Sequence, residues 1–164
     1  MQMDDVRIEG YRPGALGEVV ALHGAYYATH WSFGPVFEAR VAHELGELFT
    51  RFDTVRDGFW VARLGGKLAG SITIDGSAPS ADGARLRFFI TSDLARGRGI
   101  GNLLMKTALD FCRRREFRRV YLWTFAGLNA ARHLYEKFGF RLVEEVRGDG
   151  WGRMMQEQKM TFDL

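Results

Sequence analysis

Asp93-Leu94-Ala95-Arg96-Gly97-Arg98-Gly99-Ile100-Gly101-Asn102 is the stretch that orders the rest of the chain. An apolar run, Leu86 to Ile90, leads into it, and a long periodic segment, Ile100 to Phe111, leads out. Three glycines at alternate positions leave no side-chain bulk to hold a ligand away from the backbone. A helix that starts directly after such a loop aims its free N–H groups at whatever lies in front, which suits an anion. The spacing predicts a strand, a phosphate cradle and a helix. A tight turn before an ordinary helix fits the same glycines, and the neighbouring Arg96 and Arg98 favour the cradle. Glycines at 97, 99 and 101 match neither a dinucleotide fingerprint nor a nucleotide P-loop.

The outgoing segment repeats apolar residues at three- and four-residue steps: Ile100, Leu103, Leu104, Thr107, Ala108, Phe111 and Cys112. That is one face of a helix. Asn102, Lys106, Asp110, Arg113 and Arg114 form the wet face. Cys112, the one cysteine of the chain, falls on the apolar face and is expected to be buried and inert. It excludes both an intramolecular disulfide and a cysteine metal cluster, and no metal is expected. The 164 residues, 46% of them hydrophobic, suit one domain spanning 1–164 with a substantial core. Met1 to Asp5 has no basic region followed by an apolar stretch, so no signal peptide is read, and no apolar run reaches membrane-spanning length. A soluble cytoplasmic protein with no membrane partner is expected. Net charge is only +3, but Arg96, Arg98, Lys106, Arg113, Arg114, Arg115, Arg118 and Arg119 lie close together in sequence. A solvated helix face, a phosphate-rich site or a nucleic-acid footprint would each produce this. Without a recognition-helix signature or zinc-finger spacing, no nucleic acid is expected.

Working outward, Val6 to Tyr11 alternates as a short strand and Pro13-Gly14 breaks it. Leu16 to Thr29 reads as a helix with His23, Tyr26 and Tyr27 on its apolar face. The loop 30–35 follows, and Pro35 opens a second amphipathic helix running to Phe52. These helices suit a lid, a pocket wall or plain covering helices over a sheet. Phe59 to Leu64 and Lys67 to Asp75 flank Gly65-Gly66, a strong hairpin signal. Residues 76–83 make a polar turn, and Ala84 to Thr91 feeds the glycine loop, completing an antiparallel meander. After the central helix come a strand, 119–124, with a parallel neighbour expected, a short helix ended by Gly139, and strands 140–146 and 152–159. The order predicts a mixed α/β (α+β) sandwich, not a doubly wound sheet.

Two motifs carry a family resemblance. Arg96-Gly97-Arg98-Gly99-Ile100-Gly101, and then Asn129 through Leu134-Tyr135-Glu136-Lys137-Phe138-Gly139-Phe140, stand in the order and at the separation seen in the GNAT superfamily of acyl-coenzyme A dependent N-acetyltransferases. The chain resembles that superfamily from Val6 to Lys159, and it is similar to the acetyltransferase half of bacterial MarR-type regulator fusions. No winged-helix portion is read here, so no DNA-binding role is carried over. The resemblance implies a GNAT-like three-layer fold, a mostly antiparallel central sheet, and a V-shaped opening between the strands ending near 91 and 124. It implies acetyl-CoA as co-substrate, with the pyrophosphate on the amides around Gly97, Gly99, Ile100, Gly101 and Asn102. Arg96 and Arg98 stand ready for side-chain contacts. The pantetheine arm would lie beside Phe89, Ile90 and Thr91 as an added strand, and Asn129 matches a cofactor-contacting position. As a helix-terminal residue, Asn129 also suits local backbone capping.

Tyr135 matches the tyrosine that the family often uses as general acid toward the departing thiolate; by periodicity alone it is a core residue. Some relatives place a glutamate on the strands beside the thioester, but 85–91 contains no acid. Asp75, Glu44 and His30 remain, and Glu38 is the preferred base, with a water chain as the alternative. Asp93 stands where family loops often have Pro. The aromatics Trp31, Phe33, Trp123 and Trp151 are the expected acceptor contacts, although four Trp and 13 Phe in a small chain are mostly core. The expected function is direct transfer of an acetyl group to the primary amine of a small molecule. Transfer to a peptide or protein amine and a non-catalytic acyl-CoA sensor are the alternatives. A homodimer through the final strands or exposed aromatics is also open.

Overall fold

Alternating apolar runs separated by Gly-rich turns pair into a sheet, β1 (Val6–Glu9), β2 (Gly58–Leu64), β3 (Lys67–Asp75), β4 (Ala84–Thr91), β5 (Arg119–Phe125), β6 (Arg141–Gly148) and β7 (Met155–Asp163). The computed structural model describes residues 5–78 and 80–164. Residues 1–4, read above for a signal peptide, and Pro79 of the polar turn lie outside the described residues. The strand order is β1-β2-β3-β4-β5-β7-β6. Every neighbouring pair is antiparallel except β4 and β5, which run parallel. A parallel neighbour is forced there, because the helix between them carries the chain back to the same end of the sheet.

Four helices cover the sheet: α1 (Ala15–Trp31), α2 (Pro35–Thr50), α3 (Ile100–Arg114) and α4 (Asn129–Phe138). Side chains alternate across strands, so each face has its own core. Ile72, Ile74, Leu86, Val120, Leu122 and Met160 meet α3 and α4. Phe59 and Val61 meet α1 and α2 through Ala15, Val19 and Leu45. Ile90 and Phe125 meet the same two helices and the loop between them through Tyr27, Phe33, Phe37 and Val41. The result is a three-layer mixed α/β fold with a mostly antiparallel sheet, as expected.

Two details differ from the sequence reading, the buried stripe of α3 and the start of the last strand, and the strand order adds what it left open. The buried stripe of α3 is Ile100, Leu104, Met105, Ala108, Leu109, Phe111 and Cys112, while Leu103 is 40% exposed. Helical spacing fits both stripes, and the position of the sheet selects between them. The last strand starts at Met155, not Gly152, and inserts between β5 and β6. β6 becomes an edge strand, largely exposed along its length.

The split in the sheet positions the site. β4 and β5 are in register only at Ala84–Val120 and Arg85–Tyr121. Beyond them β4 carries a bulge: Phe88 has φ 51°, and the register with β3 slips between Thr73–Arg87 and Ser71–Ile90. Ser71 Oγ donates to the Phe88 carbonyl at 2.7 Å and pins the irregularity. A bulge bends its strand and increases the twist, so β4 leaves β5 and the sheet opens as a V.

Candidate active site

A cavity of about 310 Å³ fills the V. It is lined from α1 and α2 by His23, Tyr27, Phe37, Arg40, Val41 and Glu44. β4 supplies 85–89 and β5 supplies 122–124. Leu128, Ala131 and Tyr135 close it from the α4 side, and Gly150, Trp151 and Glu157 from the β6–β7 turn and β7. The cavity therefore reaches from one face of the sheet to the other. Past Arg85, the β5-facing edge of β4 has no strand partner in register, and an extended ligand can pair with it.

The glycine loop stands at the C-terminal end of β4. Ser92, Asp93 and Ala95 form a short 3-10 turn closed by Ala95 N–H to Ser92 O (3.0 Å) and Arg96 N–H to Asp93 O (3.2 Å). Gly97 and Gly99 then take φ 73° and 70°, with open space where a Cβ would stand. Such φ values cost an L side chain about 1–2 kcal/mol, so both positions require glycine for the backbone path. Gly99 is the N-cap of α3 and no side chain caps it. The first-turn amides of Ile100, Gly101 and Asn102 have no carbonyl within the helix to bond, and the helix dipole adds partial positive charge.

Gly101 has a packing constraint besides its expected backbone role. A Cβ there would stand 3.3 Å from Leu134 Cδ2 and 3.6 Å from Phe89 Cζ, a tight fit where α3 crosses α4 and β4 that Leu134 would have to ease by a few tenths of an ångström. Ile100 points into the core and offers only its backbone. Asn102 Oδ1 accepts from Lys137 Nζ at 2.9 Å, tying α3 to α4. Arg96 is 81% exposed and 3.5 Å from Asp93. Arg98 is half-buried. Asp93 faces the end of α1, where His30 Nε2 lies 3.2 Å away, which removes His30 from the cavity lining. The arginine cluster also divides. Arg96 and Arg98 sit at the start of α3, and Arg113 to Arg119 at its far end, about 20 Å along the axis.

Tyr135 lies on α4 with its ring centroid 5.9 Å from Phe89 and 6.0 Å from Phe140. Its chain position is held by a C-cap: Phe140 N–H donates to Tyr135 O and Gly139 N–H to Glu136 O, both at 3.0 Å. This is the Schellman pattern, with Gly139 left-handed at φ 108°. Burial pushes the Tyr135 hydroxyl above the usual tyrosine range. The phenol stays protonated at neutral pH, as a proton donor must. Phe89 lines the cavity beside it, whereas Ile90 turns to the opposite core and Thr91 lies at the strand end. Asn129 begins α4 and is exposed, with no side-chain cap at that terminus.

The acceptor-side expectations divide in the same way. Trp123 and Trp151 line the cavity. Trp31 and Phe33 do not. Trp31 packs edge-on against Phe125 at 4.9 Å, Phe33 stacks on Tyr27 at 5.8 Å, and Arg153 covers Phe33 at 4.5 Å. They form the wall behind the cavity, because an aromatic-rich core and an aromatic pocket have the same composition. Glu38, the expected base, is not among the residues that line the cavity. α2 turns Phe37, Arg40, Val41 and Glu44 toward the cavity, and Glu38 is about 100° further round, packed over Gly24 of α1. Asp75 is buried and held by Arg51 (2.9 Å) and Arg87 (3.0 Å).

Most other lining residues escaped the sequence reading as site residues, and three of them carry ionisable groups with a bearing on the chemistry: Glu157, Arg85 and His23. Glu157 accepts the Gly150 N–H at 2.7 Å through Oε1. Arg85 alternates with the core residues Ala84 and Leu86 and so faces the α1–α2 layer. His23 donates from Nδ1 to Val19 O at 2.8 Å, between the rings of Tyr27 and Phe88. Burial pulls its pKa down to about 4, although the Val19 bond opposes this, so the ring is neutral at pH 7. Strand alternation was the available signal for Arg85; nothing local marks Glu157.

The acetyltransferase (GNAT) family model matches residues 23–140. The chain is 31% identical over 104 residues to an uncharacterized N-acetyltransferase of Methanocaldococcus jannaschii, covering 61% of this chain and 45% of that one. It is 36% identical over 83 residues to a probable N-acetyltransferase of Xenopus tropicalis, covering 51% of this chain and 38% of the relative. The chain thus spans less than half the length of these two relatives. Among solved structures, an acetyltransferase from Streptococcus agalactiae superposes with TM-score 0.79 at 20% identity, covering 98% and 99% of the two chains. A putative acetyltransferase from Salmonella typhimurium, solved with its cofactor acetyl-CoA, gives 0.75 at 14% identity over 98% and 95%.

Proposed function

The chain belongs to the acetyltransferase (GNAT) family, and from that membership we propose that residues 1–164 act as one acetyl-CoA dependent N-acetyltransferase toward the primary amine of a small molecule. The observation that carries the reading is a cavity in the β4–β5 split, together with an uncapped helix start and two left-handed glycines beyond the C-terminal end of the same strand β4. The amides of Gly97, Gly99, Ile100, Gly101 and Asn102 bind the pyrophosphate, whereas the Arg98 N–H is already given to the Ala95 carbonyl at 3.1 Å; the side chains of Arg96, Arg98 and Asn129 add contacts. The pantetheine arm runs along the free edge of β4 beside Phe89, Ile90 and Thr91. This brings the thioester to the bulge at Phe88, between Tyr135 on one side and Trp123, Trp151 and Glu157 on the other.

Transfer is direct. The neutral amine attacks the thioester carbonyl carbon, and a β4 amide past the bulge stabilises the oxygen as charge develops. The C–S bond breaks, Tyr135 gives its proton to the leaving sulfur, and the amine proton passes to Glu157, directly or through water. Glu157 replaces Glu38 in this role because it lines the cavity, whereas Glu44 is engaged by Arg87 at 3.3 Å. Cys112 is fully buried and burial pushes its thiol up to about 12, so it offers no thiolate for a covalent route. Acetyl-CoA is an intracellular metabolite, which supports a cytoplasmic setting. Kinship with the bacterial MarR-fusion acetyltransferases rests on the two motifs alone. The exposed edge of β6, with Val143 50% exposed, favours a homodimer.

The test is an acetyl-transfer screen with purified protein, acetyl-CoA and a panel of amino acids, polyamines, arylalkylamines and peptides, with products identified by mass spectrometry. An acetylated small amine is expected. Exclusive acetylation of peptides would move the acceptor to the alternative class. Failure to bind acetyl-CoA would overturn the reading.

A further inference from the structure

We propose that the acceptor amine carries a carboxylate, held by Arg85, so that the substrates are α-amino acids and not simple amines. The inference rests on the acetyltransferase reading above and adds the chemical class of the acceptor. Arg85 lines the cavity, and its Nε is shut off from solvent with no hydrogen-bond partner. The other lining cations are already engaged: Arg87 pairs with Asp75 at 3.0 Å and Glu44 at 3.3 Å, and Arg40 donates to the Asp149 carbonyl at 2.7 Å. The acids nearest to Arg85 bond to Arg87 instead. Burial, and then the charge of Arg87, disfavour the Arg85 cation. An arginine nonetheless remains charged at neutral pH. A partly buried guanidinium without an anion is costly, and a carboxylate is the planar partner that its N–H fork fits.

The position excludes the cofactor as that anion. Arg85 is at the closed end of the V, where β4 still pairs with β5, on the face that meets α1 and α2. The pyrophosphate loop begins after Thr91, about 20 Å along the strand direction. Between the two lie Trp123, Trp151 and Phe37, which suit an apolar side chain. A zwitterionic acceptor would place its carboxylate on Arg85 and its amine toward the bulge.

The experiment compares L-phenylalanine, L-methionine and L-tryptophan with 2-phenylethylamine, 3-(methylthio)propylamine and tryptamine, each with acetyl-CoA, on the wild type, Arg85→Lys and Arg85→Met. The wild type is expected to favour the carboxylate of each pair in kcat/KM by at least about tenfold. Arg85→Met should raise KM for the amino acids by about 10- to 100-fold, with kcat changed less and the simple amines unaffected. Arg85→Lys should fall between. Preference for the decarboxylated amines, or equal KM values in Arg85→Met, overturns the inference and leaves the acetyltransferase standing. If no compound is acetylated, calorimetry of the twenty common L-amino acids against the protein with bound CoA decides. Binding that is lost in Arg85→Met supports the carboxylate site, and no binding overturns it. Acetyl-CoA affinity, measured on all three proteins, should be unchanged; its absence in the wild type would overturn the underlying reading and this one with it.

Discussion

Acidification to pH 5 should destabilise the fold through His23. The ring is 5% exposed, donates from Nδ1 to Val19 O, and is packed beside Tyr27 and Phe88. Burial lowers its pKa from 6.5 to about 4. Between those values the unfolded chain binds a proton that the folded chain refuses, so unfolding is favoured as pH falls. The stabilisation is fully present above pH 6.5 and is lost progressively toward pH 4. Linkage gives a loss of about 2 kcal/mol between pH 7 and 5. The carboxylates with displaced values act lower. Glu18 is held down by its bond to Arg63, Asp110 by Lys106 and Asp163 by Arg119. In Asp75 burial pushes upward, but Arg51 and Arg87 outweigh it. Their contributions are lost only below the unfolded carboxylate values near pH 4. Urea denaturation followed by tryptophan fluorescence at pH 7, 6 and 5 reads the effect. His23→Phe keeps an aromatic ring and removes the titration, so its stability should change little over this range. A wild-type minus variant difference independent of pH would refute the reasoning.

Tyr135→Phe should lower kcat by about 100-fold while leaving the acetyl-CoA dissociation constant unchanged; stopped-flow turnover and calorimetry separate the two, and unchanged turnover would remove Tyr135 from the chemistry. Gly99→Ala forces a side chain to φ 70° in open space, so it should cost about 1–2 kcal/mol and weaken acetyl-CoA binding about tenfold, read by calorimetry beside a thermal melt. Gly139→Ala meets both a φ of 108° and a Cβ only 2.6 Å from the Phe162 ring. It should lose about 2–3 kcal/mol, visible as a Tm drop with no change in the KM of the folded enzyme.

Much of the site was legible where it is local. Gly97 and Gly99 permit the positive φ that the structure shows, and Ile100 to Cys112 repeats at helical spacing, so the loop and its helix were read from neighbours alone. The C-cap at Gly139, which fixes Tyr135, is local in the same sense. Glu38 lies off the cavity because a helix has several faces and the sequence does not say which one meets the cavity; its contact with Gly24 shows which face it takes. Trp31 and Phe33 lie behind the cavity wall, a placement the sequence could not give because a ring in a core and a ring on a pocket wall look alike there.

The amino-acid sequence by itself determined the order and kind of the elements, the hairpin at Gly65-Gly66, the anion-ready start of α3, and the motifs of the family. These follow from backbone sterics and side-chain period, which act over a few residues. Tertiary structure alone decided that β7 inserts between β5 and β6 and that the Phe88 bulge opens β4 from β5. It also decided that Arg85 and Glu157, 72 positions apart, line one cavity. Those outcomes depend on which strand edges pair and which faces remain uncovered, and such contacts join residues that carry no mark of each other along the chain.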